Sequence, residues 1–594
     1  MEELRDRLLL DPNIWQDPCA RELVHVMCGE TGMTASGHAY LERPAYERLR
    51  DWIPHILDAG PRVLQALERI QNKASELDIN TKDAPFALSG GVVRQVVFTA
   101  AVTAPPDLWL LRHVLSTFVR EGFAGRLLND QTLSLDEGGY DPRELAVDCN
   151  FLLSRGLLVQ QGNDFRMSNH ASSRALWRAA IELPKSVPAD QLSIWAALFS
   201  GSEVSATEME GICARSNWYT SFQGHSPPAW YPTPWDVEWG YRLVPLVLGM
   251  QMAGRLGECL QAGRVSGVDL ACGNADVGEW VEEILRSSGV IDRDCALSVP
   301  GRRVLERGPG PFGIIAAYSA YMDNLSTILR EGRSVIHVER RNNVLASQHA
   351  NRRTFQKAND SLDRYCLDTG YEIRVFIEHA LGRGEATRQR FERSGSENIQ
   401  YVGADLEDAA IAAAREEYKA GRLPENMVFL SGMDIGDPDG LVHKLHTQGI
   451  STEGAVMVVG NGFHEVRRQT DKHLVDVFSR YEQAGILLLF TEESALATDD
   501  LLQTAWNTYH AGFRYVHERS GQGLRPASPV PPSRYSGGIR ASWEECAQRG
   551  GYVRLEKYCG RSRKIYPYAT VNGHNPSISV NHFFVPRRLA DRTS

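Results

Sequence analysis

The sequence predicts an α/β domain at its C-terminal end, a largely parallel sheet with helices on both faces, preceded by mainly α-helical and winged-helix domains. Two patterns carry this. From Tyr371 onward, short runs rich in Val, Ile, Leu and Phe (EIRVFIEHA, ENIQYVGAD, ENMVFLSGMD, GAVMVVGNG and GILLLFTEE) alternate with amphipathic helical segments. Apolar runs of strand length separated by helices read as parallel strands covered on both sides. Before Tyr371 the apolar residues recur at helical spacing instead, broken by one alternating segment, LLVQQGNDFRMS, with a Gly162-Asn163 turn of the kind that closes a hairpin.

Taken in order, residues 1–85 form a helical region. Ile53, Ile56, Leu57, Val63, Leu64, Leu67 and Ile70 lie on one broad stripe, the mark of helices that pack on a core. Residues 86–190 read as a winged-helix-like adaptor: helices around LLRHVLSTFVREGF and ELAVDCNFLLSRG, the hairpin, then a helix over SSRALWRAAIEL. Residues 191–335 begin with a connection dense in Trp, Tyr and Pro, SNWYTSFQGHSPPAWYPTPWDVEWGYRL, which serves either packing or a lid. They continue into a second winged-helix-like unit, since LLSRGLLVQQ and ILRSSGVIDR align with Gly156 on Gly289. The stretch Arg307-Gly308-Pro309-Gly310-Pro311-Phe312-Gly313 then reads as a linker before a helix, IIAAYSAYMDNLSTIL, and residues 336–370 as a linker helix. The catalytic candidate is 371–594, in which GYVRLEKYC and SISVNHFFVPR add two strands after the loop SGQGLRPASPVPPSRYSGG.

Composition limits the function. The 594 residues are 43% apolar and 23% charged, enough for several cores. Lys and Arg total 64 against 74 Asp and Glu, a net of −10, so no global positive field invites nucleic acid or an anionic membrane. The segment GEWVEEILRSSG, with three glutamates and one arginine, is a poor recognition helix, which counts against a DNA-binding regulator. No uninterrupted apolar run reaches the length needed to span a bilayer, and MEELRDRLLLDPNIW lacks the order of a secretory signal; a cytoplasmic protein is expected. The ten cysteines include no CxxC pair, against a zinc ribbon or a disulfide framework.

The first strand of the C-terminal domain runs into Glu378-His379-Ala380-Leu381-Gly382-Arg383-Gly384-Glu385 and then a helix. Glycines in such a turn let a ligand approach the backbone, and the helix N-terminus offers free N–H groups. About twenty residues on, the second strand ends in Asp405, placed to accept hydrogen bonds from a ribose diol, followed by Leu406. The third ends in Gly432-Met433-Asp434 and the fourth in Gly460-Asn461-Gly462-Phe463-His464, where open α/β sheets hold their reacting groups. The bland alternative is a tight βα turn with a surface acid.

As a set, these motifs resemble a class I S-adenosylmethionine-dependent methyltransferase, from about Tyr371 to Arg587. That family's first motif carries glycine where Ala380 stands. The resemblance implies a Rossmann-like, seven-stranded core in which Glu378, Gly382, Gly384, Asp405, Leu406, Met433, Asp434 and Asn461 hold S-adenosylmethionine. The segments GNGFHEVRRQTDKHLVDVF and FTEESALATDDLLQTAWNTYHAGFRYVHERS are similar to metal-dependent C-methyltransferase domains of polyketide assembly lines. This implies C-methylation of an enolisable, malonyl-type carbonyl in natural-product biosynthesis, with a mononuclear iron or manganese ion. His464 leads the ligand candidates, with Gln469, Asp471 and His510; Asp471, seven positions on, shares the helical face of His464 if the segment is helical. The alternative is metal-free O- or N-methylation with His464 as general base. Arg467 and Arg468 pair with a substrate carboxylate or with neighbouring acids, His473 and His517 read as surface or packing residues, and of Glu492 and Glu493 at most one faces the crevice. The partner expected is a small-molecule or carrier-protein-bound acyl substrate, with neither nucleic acid nor membrane, in a monomer or homodimer.

Overall fold

The structure is a computed structural model that describes residues 1–33, 39–52, 59–77, 84–136, 138–184, 190–215, 217–219, 231–336, 341–395, 398–467, 469–496, 498, 501–502, 510–526, 539–561 and 579–590. It falls into two compact units. One is built on Met1–His337 and takes in a later segment, Thr498–Tyr515; the other is built on Val338–Ala497 and Val516–Lys564 with Pro576–Ser594.

The first unit is mainly helical. Its longest element, α1 (Ala84–Arg120), runs through Pro105 and Pro106, and α2 (Pro234–Met252) packs along it. By length and composition α1 meets the requirement for crossing a membrane, although 56% of its most apolar window is buried within the protein. In the sequence Arg94, Asp107 and Arg112 break this apolar run, as do its Gly, Thr and Ser residues. Val63, Leu67 and Ile70 of the predicted N-terminal stripe are buried, while Ile53, Ile56 and Leu57 lie outside the described residues.

Leu133–Ser134, Leu158–Gln161 and Asp164–Met167 form a three-stranded antiparallel sheet beside the helices Pro142–Ser154 and Ala171–Ala180. Where the sequence predicts a second hairpin there are two isolated bridges, Arg264 with Ala296 and Ile291 with Leu297. The alignment of Gly156 with Gly289 nevertheless has a structural basis. Both are left-handed, φ +74° and +68°, and each is followed by an N–H that reaches back across the helix end, Leu157 to the Leu152 carbonyl and Val290 to that of Leu285. The Gly-Pro stretch is helical rather than a linker. The helix Val299–Arg307 is followed at once by Pro309–Ala316, with Pro309 in the first turn, where its missing N–H costs nothing; Ser319–Asp323 and Leu325–Glu331 continue as separate short helices.

The late segment is anchored in this unit by buried groups. Asp107 meets Arg155 (Oδ2 to Nη1, 3.5 Å) and accepts the Gly512 N–H at 3.0 Å. The Tyr515 hydroxyl donates to Asp148 at 2.8 Å and its ring stacks on Phe151.

The second unit is an open sheet. Its path runs through β1 (Val375–His379), β2 (Gln400–Asp405), β3 (Val428–Ser431), β4 (Ala455–Gly460), β5 (Leu487–Ala495), β6 (Tyr552–Arg554) and β7 (Ser579–Pro586) in the spatial order β6-β7-β5-β4-β1-β2-β3. The pairs among β1 to β5 are parallel, while β7 is antiparallel to both β5 and β6. Two-residue strands at Arg525–Pro526 and Gly560–Arg561 also pair, so among the described residues the sheet has seven strands along this path and two short ones off it.

Alternation along the strands feeds two cores. Ile377, Ala404, Met457, Val459, Leu488 and Phe490 face α5 (Asp471–Gln483) and the helix Trp543–Arg549. Phe376, Tyr401, Val456, Val458, Leu487 and Phe583 face α3 (Arg341–Thr369), whose Phe355, Leu362 and Tyr365 are buried there. Because both faces are covered, the strands read as continuous apolar runs rather than alternating ones. The order reverses at β1, which has β2 on one side and β4 on the other, and open sheets bind ligands beyond the carboxyl ends of the strands at such a point.

Candidate functional site

The glycine-rich turn leaves β1 in left-handed backbone at Ala380 (φ +57°), Gly382 (+54°) and Gly384 (+81°), and enters α4 (Glu385–Ser394). Alanine in that region carries a steric cost that glycine does not. The turn lies close to the one after β4: a Cβ on Gly462 would sit 2.7 Å from the Val459 side chain and 3.1 Å from that of Ala380.

Glu378 does not project freely from β1. Its two oxygens accept the Ala386 and Thr387 N–H groups (3.1 and 2.7 Å), so it holds the first turn of α4; burial pushes its carboxyl up to about 7 against the opposing pull of those N–H groups. His379 is neutral, its pKa held down at about 4 by burial, with Nδ1 accepting the Ala380 N–H. Asp405 ends β2 with Oδ2 on the Gly382 N–H at 3.2 Å and Oδ1 on the Glu407 N–H at 3.0 Å, tying the first turn to the second strand. Leu406 stands exposed beside it. Met433 donates its N–H to the Asp405 carbonyl, and Asp434 accepts the Gly436 N–H. Asn461 is left-handed (φ +56°) and its N–H meets the Thr491 carbonyl. The acid after β2 and the turns after β1, β3 and β4 thus stand at the same end of adjacent strands.

His464 lies in a 3₁₀ turn, Phe463–Glu465. Its Nδ1 is 2.9 Å from Oε2 of Glu492, which is 1% exposed and whose Oε1 accepts the Phe463 N–H. A carboxylate can only accept, so Nδ1 is the donor of this contact and, in the neutral imidazole, the lone pair is on Nε2. Nε2 is 3.5 Å from Oε1 of Glu465, which accepts from the Gln522 amide. His517, in α6 (His510–Ser520), sets its buried ring edge-on to His464 at 5.0 Å. The register explains the pair. Gly460 lies opposite Thr491 on adjacent parallel strands, so the residues just beyond each meet.

The expected metal set is not brought together. Asp471 begins α5, and its carboxylate accepts the Arg540 and Ala541 N–H groups and pairs at 2.7 Å with buried Arg525. Those contacts hold it below the usual carboxylate range against the effect of burial. No helical face links it with His464, because Val466, Arg467, Gln469 and Thr470 are not helical. Gln469 donates its amide N–H to the Phe463 carbonyl at 3.1 Å, while its Oε1 is buried without a hydrogen-bond partner among the described residues. The His510 side chain lies outside the described residues, as does Arg468, while Arg467 is exposed. Among the described residues no group of three His, Cys, Asp or Glu is arranged to hold a metal ion. Among the described residues the expected iron or manganese set is thus not assembled.

A doubly wound sheet with a glycine-rich turn at its switch point and an acid after the second strand defines a crevice for a nucleotide-like cofactor. No protein-family profile matches the chain, and no curated protein does. Solved structures similar to it include methyltransferases. A carbon methyltransferase of CurJ is 12% identical, covering 89% of this chain and 99% of its own, with a TM-score of 0.33. The CMeT domain of the citrinin polyketide synthase is 13% identical over 88% of this chain and 96% of its own, TM-score 0.32. The mitomycin 7-O-methyltransferase MmcR is 14% identical over 57% of this chain and 93% of its own, TM-score 0.34.

Proposed function

We propose that this chain is an S-adenosylmethionine-dependent methyltransferase in which His464 takes a proton from the acceptor and Glu492 fixes the tautomer of His464. The observation that carries the proposal is the 2.9 Å contact between His464 Nδ1 and a buried carboxylate anchored on a backbone N–H. Such an arrangement leaves Nε2 as the base. The cofactor fits the residues present: the left-handed turn at 380–384 gives a backbone cradle, and the Asp405 carboxylate suits ribose hydroxyls, with Met433 and Asp434 beside it for the adenine. When bound, the cofactor supplies an already activated methyl group. The chain then has to align the acceptor, exclude water and remove one proton, and alignment alone contributes about 7 to 11 kcal/mol.

The acceptor we favour is the acidic carbon of an enolisable acyl compound in natural-product biosynthesis, free or carried on a partner protein. Proton removal by a neutral imidazole suits that carbon, and a hydroxyl or amine acceptor would use the same base. Calorimetry of the full chain with S-adenosylhomocysteine tests the cofactor. Binding is expected in the wild type and at least about tenfold weaker in Asp405→Ala, a loss of one or two charge-assisted hydrogen bonds. His464→Ala should bind as the wild type does and transfer no labelled methyl to a malonyl-type thioester. A wild type that binds no S-adenosylhomocysteine defeats the reading.

A further inference from the structure

The first unit contains a buried cation that its surroundings leave largely uncompensated. Arg112, on α1, is 3% exposed. Among the described residues its guanidinium has one hydrogen-bond partner, Ser116 one turn on, and forms no ion pair; its Nε is buried without a partner. The buried acid that acts electrostatically on it, Glu238 on α2, is already engaged, accepting the Trp218 indole N–H at 2.7 Å and pairing with Arg242 at 2.6 Å. One carboxylate thus serves two guanidinium groups and touches only one of them. Aromatic faces make up part of the difference: the Arg112 guanidinium lies 5.3 Å from the Tyr241 ring and 5.8 Å from that of Trp218, a weak cation–π arrangement. One residue on, the His113 ring stands edge-on to the same Tyr241 at 5.6 Å, its Nε2 also buried and unpartnered.

A planar guanidinium with free N–H groups between two aromatic rings is suited to a planar or tetrahedral oxyanion, and a buried charge without its counter-ion is costly. We propose that Arg112, walled by Trp218 and Tyr241 and flanked by His113, is a binding site for a small oxyanion, a carboxylate or a phosphate. Side chains of α1 and α2 build it: Arg112 supplies charge and direction, Tyr241 is held in place by the Gln191 amide on its hydroxyl at 2.6 Å, and Glu238 orients Trp218. The site lies within the first unit and does not depend on the methyl-transfer reading.

The test is thermal unfolding of the full chain with sodium benzoate or inorganic phosphate, against sodium chloride at equal ionic strength, with tryptophan fluorescence followed in parallel. One of the two anions should raise the melting temperature of the first transition by about 5 °C near saturation and change the emission, and which one does so separates carboxylate from phosphate. Arg112→Met should melt higher than the wild type without anion and lose the response. Trp218→Phe, which keeps the apolar wall, should retain the thermal response and lose most of the emission change; it serves as the independent check if Arg112→Met does not fold. No response to either anion in the wild type, a response that survives in Arg112→Met, or an undiminished emission change in Trp218→Phe overturns the proposal.

Discussion

Replacing Glu492 with Gln keeps the shape of the side chain and changes what it can do for His464. In the wild type both carboxylate oxygens accept, one from the Phe463 N–H and one from His464 Nδ1. A carboxamide has a single accepting oxygen. If that oxygen stays on the Phe463 N–H, the amide NH₂ faces Nδ1, which must then accept, and the proton moves to Nε2. The base is lost although nothing has moved. The variant gives up a charge-assisted hydrogen bond worth about 1.5 to 3 kcal/mol and the general-base contribution of about 10²- to 10⁴-fold. At 1.36 kcal/mol per tenfold, the expected fall in kcat is equivalent to about 3 to 5 kcal/mol. Single-turnover transfer of a labelled methyl group gives the rate, and calorimetry with S-adenosylhomocysteine gives the affinity, expected within about twofold of wild type because the Glu492 carboxylate is engaged by Phe463 and His464. The conservative Glu492→Asp, which restores a charged acceptor, should recover part of the activity. A Glu492→Gln variant that retains more than half of the wild-type rate refutes the reasoning.

Two further outcomes follow from the first turn. Ala380→Gly removes an alanine from left-handed backbone (φ +57°); relief of about 1 to 2 kcal/mol, set against the greater unfolded-state freedom of glycine, should raise thermal stability by about 0.5 to 1 kcal/mol, read by calorimetric unfolding. Glu378 gives a pH dependence: burial holds its folded pKa up at about 7, above the usual unfolded value near 4.3. Between those limits the folded state binds the proton and the unfolded state does not, so stability is full below about pH 4 and falls as pH rises toward 7, by as much as about 3 kcal/mol from this group. Glu378→Gln should flatten that slope in urea unfolding measured at a series of pH values.

Much of the second unit is legible in the sequence because its strands are buried on both faces, so that each apolar run from EIRVFIEHA to SISVNHFFVPR marks a strand directly. The glycine turn and Asp405 follow from local chemistry as well. Period-two alternation shows that only one of Glu492 and Glu493 can face His464, but which one depends on the β4 to β5 register, a tertiary fact. The Asp471 ligand reading failed for a related reason. It carried helical periodicity through Val466, Arg467, Gln469 and Thr470, which are not helical, and the carboxylate had a stronger local use in holding Arg525 and two backbone N–H groups. His517 reads as an ordinary helix residue in sequence; its place beside His464 comes from how α6 packs. In the first unit, the second hairpin was inferred from a real likeness at Gly156 and Gly289. That likeness marks a shared way of ending a helix, which does not require strands to follow.

The anchoring of Thr498–Tyr515 in the first unit also bears on the order in which the chain is made. Asp107 and the Gly512 N–H it accepts are separated by 405 residues. At about 5 to 20 residues per second, the first unit waits some 20 to 80 seconds on the ribosome with Asp107 and Asp148 lacking these late partners, and is completed only when most of the sheet has also emerged. Its final packing is therefore a late event in synthesis, and the N-terminal half is the part of the nascent chain with most need of protection by a chaperone.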